Sequence, residues 1–301
     1  MFGAKKNKSN NSSDEIRNKI KQIKIFTKRL MQSSIVGDYL SAFKGTGLEF
    51  DQIREYQIGD DIRFIDWNSS AKMNKIMVKQ LVEERDRTVI LVVDISGSSY
   101  FSSKEQIRKD MIAQVAASLA FIAAENKDRV GALFFSDKTE RWISPSRGNA
   151  HIGKVLETIF SIKSNSKRTN IKEALSFLVG LKKRNAVVFV LSDWIDEIDN
   201  YSNILKVAGC EYDFVGIRFL DDCEKDIADV GLLDLQDIET GQNFTINTSK
   251  ASDLNLFLHG REKEQKRMFE KYRIDLLDLT VGRPFINPMI NFFRWRIRRQ
   301  I

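Results

Sequence analysis

Cysteine is scarce: Cys210 and Cys223 in 301 residues are too few for a disulfide framework and fit a reducing compartment. Three prolines and sixteen glycines exclude a collagen-like or low-complexity chain. The only histidines, His151 and His259, stand apart in helical patterns and read as ordinary surface residues, not as a catalytic base. No apolar run approaches the roughly 18 residues that a spanning helix needs. The polar opening Met-Phe-Gly-Ala-Lys-Lys-Asn-Lys lacks the apolar core of a signal peptide, so a cytoplasmic protein is expected. A phosphate-cradling Gly-x-x-x-x-Gly-Lys-Ser loop is missing, which argues against nucleotide hydrolysis, and so is a Gly-x-Ser-x-Gly nucleophile elbow. Charge of one sign is missing too. With 48 basic and 41 acidic residues, net +7, the surface is mixed and dedicated nucleic-acid binding is not favoured.

What is present is ample apolar material, 42% of residues, enough for one large domain or two ordinary ones. Residues 1–14, rich in Lys, Asn and Ser, read as a disordered tail. Residues 15–86 form an N-terminal part. A helix is expected from Glu15 to about Leu40, with Ile16, Ile20, Ile23, Phe26 and Leu30 on one side and basic residues on the other. Three strands follow, Leu48 to Tyr56, Ile62 to Trp67 and Ile76 to Val82, with Gly59-Asp60-Asp61 as turn chemistry. Charges stand beside aromatics along the first two, and structural ion pairs on a small sheet are the expected reading, a binding surface the sharper one.

Residues 87–281 alternate buried strands with amphipathic helices. Thr88-Val-Ile-Leu-Val-Val-Asp94 is apolar and β-branched, and it ends in an aspartate and a Ser/Gly turn. A helix follows, opened by the capping spacing of Ser103 and Gln106, with Ile107, Met111, Ile112, Val115, Leu119 and Ile122 in one stripe. Ala186 to Leu191 is a second apolar strand ending near an aspartate, Asp193. The expected fold class is α/β, an open, mainly parallel, doubly wound sheet with an N-terminal small β segment and helix. Ligands in such sheets bind beyond the carboxyl ends of the strands, where Asp94 and Asp193 are placed. Residues 282–301 read as a basic aromatic tail: Arg294, Arg296, Arg298 and Arg299 alternate with Phe292, Phe293, Trp295 and Ile297. Such an end usually docks its aromatics on the body and leaves its arginines in water.

Asp94, Ser96 and Ser98 form Asp-x-Ser-x-Ser, which turns one carboxylate and two hydroxyls toward one point. With Thr169 from a helix-opening loop and Asp193 from a neighbouring strand end, the set is entirely oxygen. Hard cations select such donors, Mg²⁺ first, with Mn²⁺ and Ca²⁺ left open. Zinc, which prefers His and Cys, is disfavoured. The competing reading is that these residues merely cap turns and helices.

The body resembles a von Willebrand factor A domain, whose metal-ion-dependent adhesion site uses Asp-x-Ser-x-Ser, a Thr and an Asp in this order. More narrowly, Gly47 to Asp51, Arg54-Glu55-Tyr56, Gly59-Asp60-Asp61-Ile62-Arg63, Ile65-Asp66-Trp67 and Glu83 to Asp86 resemble the bacterial "domain of unknown function 58" family. That resemblance implies direct metal ligation by Ser96, Ser98 and Thr169, with Asp94 and Asp193 acting directly or through water. It also implies a sixth position for an acidic residue of a protein partner, and work beside a MoxR-type AAA+ ATPase in assembling or maturing other proteins. Lys167-Arg168 stands before Thr169 where A domains commonly have Gly-Gly, and Trp194 follows Asp193 where they have Gly, which points to narrowed access.

Two alternatives follow from the residues. A basic aromatic C-terminus touching anionic lipid makes a peripheral membrane adaptor. A phosphate-ester hydrolase of the haloacid-dehalogenase type wants a second aspartate two residues after Asp94, where Ser96 stands.

Overall fold

The computed structural model describes Lys21 and residues 48–83, 87–97, 108–164, 166, 168–183, 186–222, 231–236, 243–248 and 251–300. The helix expected from Glu15, the capping pair Ser103 and Gln106, Cys223 and the candidate ligand Ser98 lie outside the described residues. Two compact units emerge: Lys44–Arg87, and a larger one holding Met1–Phe43 and Thr88–Ile301.

In the smaller unit, β1 (Leu48–Glu55) leads through a 3-10 turn at Ile62–Phe64 and helix α1 (Trp67–Met73) to β2 (Met77–Glu83), which pairs antiparallel with β1. The strand expected over Ile62 to Trp67 is therefore a correction. Asp61 accepts from the Arg63 N–H and Asp66 from the Ser69 N–H, so local side-chain caps win over apolar alternation, leaving Ile65 one isolated bridge to Val78. Ion pairs do accompany the aromatics: Arg54 forks onto both oxygens of Asp60 at 2.7 Å, and Arg63 meets Asp61. Ile58, Ile62, Trp67 and Met73 remain exposed.

The larger unit runs β3 (Thr88–Asp94), α2 (Arg108–Glu125), β4 (Arg129–Phe135), β5 (Thr139–Ser146), α3 (Asn149–Ser161), α4 (Ile171–Gly180), β6 (Val187–Ser192), α5 (Ile198–Glu211), β7 (Asp213–Leu220), β8 (Leu232–Gln236), β9 (Asn243–Asn247), α6 (Ala251–Lys271), β10 (Asp275–Thr280) and α7 (Ile286–Gln300). Six strands form one sheet in the order β10-β7-β6-β3-β4-β5, parallel except for the β5 edge, and β8 pairs with β9 in a separate hairpin. Residues on β3 alternate between two cores. Val89, Leu91 and Val93 face α2, α3 and α7, whereas Ile90 and Val92 face α4, α5 and α6. Gly216 on β7 is needed for the second packing, since a Cβ there would come within 2.8 Å of the Phe269 ring of α6. The chain leaves β3 toward β4 on one side and returns to β6 on the other, so a switch point opens at the carboxyl ends of β3 and β6.

The C-terminal stretch is helix α7, and it docks its aromatics on the body as expected. Phe285, Met289, Phe292 and Phe293 join the core, and Arg296, expected in water, is buried and paired with Asp213 and Asp275. Apolar residues recurring at helical spacing put its arginine on the packed side.

Candidate functional site

Asp94 is the last residue of β3, and both of its oxygens are already oriented. Oδ1 accepts from the Ser96 N–H at 2.9 Å, and Oδ2 accepts from the Ser192 hydroxyl at 2.7 Å, directly across the β3/β6 gap. Ser192 closes β6, and its hydroxyl also accepts from the Trp194 N–H at 3.1 Å. Asp193 is equally held: Oδ1 accepts from the Ile195 N–H at 3.0 Å and Oδ2 from the Arg108 guanidinium at 2.8 Å. Asp94, Ser96, Ser192 and Asp193 are all buried. A carboxylate oxygen that accepts one hydrogen bond keeps a second lone pair, so this wiring aims the carboxylates without exhausting them.

Thr169 reaches the same rim through its neighbours. The Asn170 N–H donates to the carbonyl of Ser136, just past β4, at 2.9 Å, and the Ile171 N–H donates to Asp196, just past β6, at 3.3 Å. Asn170 itself caps α4 by accepting from the Glu173 N–H. Thr169 takes no part in that cap. Its Oγ1 is buried and has no hydrogen-bond partner among the described residues. A buried hydroxyl left without any partner would cost about 1–3 kcal/mol, so this oxygen is a candidate ligand.

Burial, and secondarily the Asp193 charge beside it, pushes the Asp94 carboxyl up to about 7. A divalent cation would relieve that crowding. Among the described residues no group of three or more His, Cys, Asp and Glu side chains could hold a metal, so a cation at this rim depends on hydroxyls as well as on the two aspartates. Asp94, Ser96, Asp193 and Thr169 thus share one rim and fit an oxygen-only cation in donor chemistry.

Trp194 does not narrow the approach. It adopts the left-handed conformation, φ 59°, that a glycine would take more readily, and its indole turns into the core, edge-on to Phe269 at 4.9 Å and beside Tyr201. Its carbonyl accepts from Gln265 of α6 at 3.0 Å, which pins the turn after Asp193. Two residues at the rim escape a reading by motif: Ser192 and Arg108. The signal for Arg108 was there, since it stands three, four and seven residues before Met111, Ile112 and Val115, on the buried stripe of α2.

Residues 52–266, more than half of the chain, match the family described as "Protein of unknown function DUF58". An uncharacterised protein of Mycobacterium tuberculosis is 25% identical over 283 residues, 93% of this chain and 89% of its own length, and one of Mycobacterium bovis matches equally. Among solved structures, the conserved hypothetical protein BatB from Bacteroides thetaiotaomicron superposes with a TM-score of 0.50 at 13% identity, over 70% of this chain and 99% of that one. The SpRpn10 VWA domain superposes with a TM-score of 0.40 at 11% identity, over 68% of this chain and 94% of that one.

Proposed function

Since the chain belongs to the DUF58 family and carries a von Willebrand factor A-like α/β fold, we propose that it is a non-enzymatic protein-interaction module whose binding depends on a divalent cation. The observation that carries this reading is the buried Thr169 hydroxyl, left without a partner among the described residues on the rim that holds Asp94, Ser96 and Asp193. Ser96, Ser98 and Thr169 would hold the ion, Mg²⁺ before Mn²⁺ or Ca²⁺, with Asp94 and Asp193 directly or through water. Hydroxyl ligands neutralise little of the ion's charge, and when bound it would supply a strong attraction for an Asp or Glu of a protein partner. The family resemblance points to a MoxR-type AAA+ ATPase as that partner and to a role in assembling or maturing other proteins, and the scarcity of cysteine fits the cytoplasm.

The test is titration calorimetry of Mg²⁺ into the metal-stripped full chain, followed by capture of the purified AAA+ ATPase in Mg²⁺ or EDTA. Asp94→Ala and Thr169→Ala should each abolish Mg²⁺ binding and capture while leaving the far-ultraviolet circular dichroism unchanged. Capture undiminished in EDTA would defeat the proposal. The membrane-adaptor alternative has less to work with, because Phe292, Phe293 and Arg296 are buried.

A further inference from the structure

Arg108 is the first described residue of α2, and its guanidinium lies 2.8 Å from Asp193 Oδ2 with side-chain exposures of 1% and 2%. Burying an arginine is costly, and a buried pair is favourable only when its geometry repays the lost hydration. Here the arginine ends on one of the two carboxylates that line the candidate cation site. We propose that Arg108 is a resident cation that gates this site from within: it holds Asp193 while no metal is present, and a divalent ion must loosen the pair to bind. The inference rests on the metal-dependent reading above and deepens it.

The physics is a competition for one oxygen. An Mg²⁺ ion ligates a carboxylate oxygen at about 2.1 Å, so an ion on Oδ2 stands within a few ångströms of a guanidinium already bonded there. Two positive groups that close, shielded from water, repel strongly. Coordination through Oδ1, which accepts from the Ile195 N–H, or through an intervening water keeps the ion in the same buried neighbourhood. Binding of either cation therefore weakens the hold of the other, and the coupling is reciprocal. While the arginine holds the carboxylate, the fraction of molecules competent for metal is reduced, and the apparent affinity falls in proportion.

Arg108→Gln removes the charge but keeps a hydrogen-bond donor for Asp193. In titration calorimetry with the full chain, the variant should bind Mg²⁺ about tenfold tighter than wild type or better, as removal of a closed majority state requires. Its melting temperature should drop in EDTA and recover in saturating Mg²⁺. Equal or weaker affinity, with the same loss of stability in both buffers, would show Arg108 to be a structural anchor and overturn the gate while leaving the metal site standing. Absence of Mg²⁺, Mn²⁺ and Ca²⁺ binding in both proteins would remove the metal site itself, and the gate with it. Should the variant not fold, nitrogen-15 spectra of wild type decide. Saturating Mg²⁺ should shift the Arg108 side-chain resonance and speed its exchange with water, and an unmoved, protected resonance counts against the gate.

Discussion

Two of the clusters of buried charge on this sheet, one around Arg218 and one at the β3/β6 rim, are wired differently. Around Arg218 of β7, the guanidinium forks onto both oxygens of Asp278 at 2.8 and 2.9 Å and donates to Gln265 at 2.5 Å, and Gln265 continues to Tyr201 and the Trp194 carbonyl. Lys266 and Glu262 close the outer side, so two cations face two carboxylates. At the rim of β3 and β6, Asp94 and Asp193 stand side by side, and Arg108 pairs with Asp193 at 2.8 Å. The aspartates record the difference. Burial raises Asp278 too, but Arg218 and Lys266 outweigh it and hold that carboxyl below its ordinary value, whereas Asp94 is raised. Where cations face a carboxylate it is held down, and where a second carboxylate stands beside it under burial it is pushed up.

The largest effect is expected from Arg218→Met, which leaves Asp278 and the Gln265 oxygen without their buried partner. Removing one member of a buried pair costs about 3–5 kcal/mol, and the lower figure applies because Asp278 is partly exposed. Urea unfolding should show that loss equally in EDTA and in Mg²⁺. A loss that Mg²⁺ repaired would erase the distinction between the clusters.

The next test uses acid. Asp278 has its folded pKa below the ordinary 3.8, so its ion pair contributes stability that is complete above that value and is lost as pH falls through the folded pKa. Between pH 5 and 2 the wild-type urea midpoint should fall, and Asp278→Asn should flatten part of that limb. An unchanged slope would mean that the Arg218 fork does not set the acid stability.

Much of this plan is readable along the chain. Thr88 to Asp94 and Ala186 to Leu191 are apolar on both faces, as central parallel strands must be, and each runs into an aspartate at the switch point. What escapes is side chains whose reasons lie far away in sequence. Arg296 looks solvated until its partners Asp213 and Asp275 arrive from other strands, and Arg108, though placed on the buried stripe of α2, gets its partner only from Asp193, 85 residues on. The segment Ile62 to Trp67 fails for the opposite reason. Its fate is decided within four residues by aspartate caps that apolar alternation does not register.

A smaller change separates the cation reading from the capping reading at Thr169. If the threonine only shapes a turn, Thr169→Val should be neutral or harmful in every buffer. If its hydroxyl awaits a metal, the valine variant should gain about 1 kcal/mol in EDTA, because a buried hydroxyl without a partner is replaced by a methyl group, and should bind Mg²⁺ weakly or not at all. Paired denaturation and calorimetry measure both signs on one protein.

The smallest effect is expected at the exposed margin of the balanced network. Lys266 is 45% exposed and pairs with Glu262, one helical turn earlier, at 2.8 Å, and with Asp278 at 3.1 Å. Exposed pairs of this kind contribute about 0.5 kcal/mol, since water screens the attraction and ordering the lysine costs entropy. Lys266→Gln should lower stability by about that amount at low ionic strength, and the difference should vanish in 1 M salt, where the screening length is about 3 Å. A loss comparable to that of Arg218→Met would mean that the outer lysine, and not the buried fork, holds the joint together. The contrast between the two clusters would then have to be redrawn around solvent-facing charge.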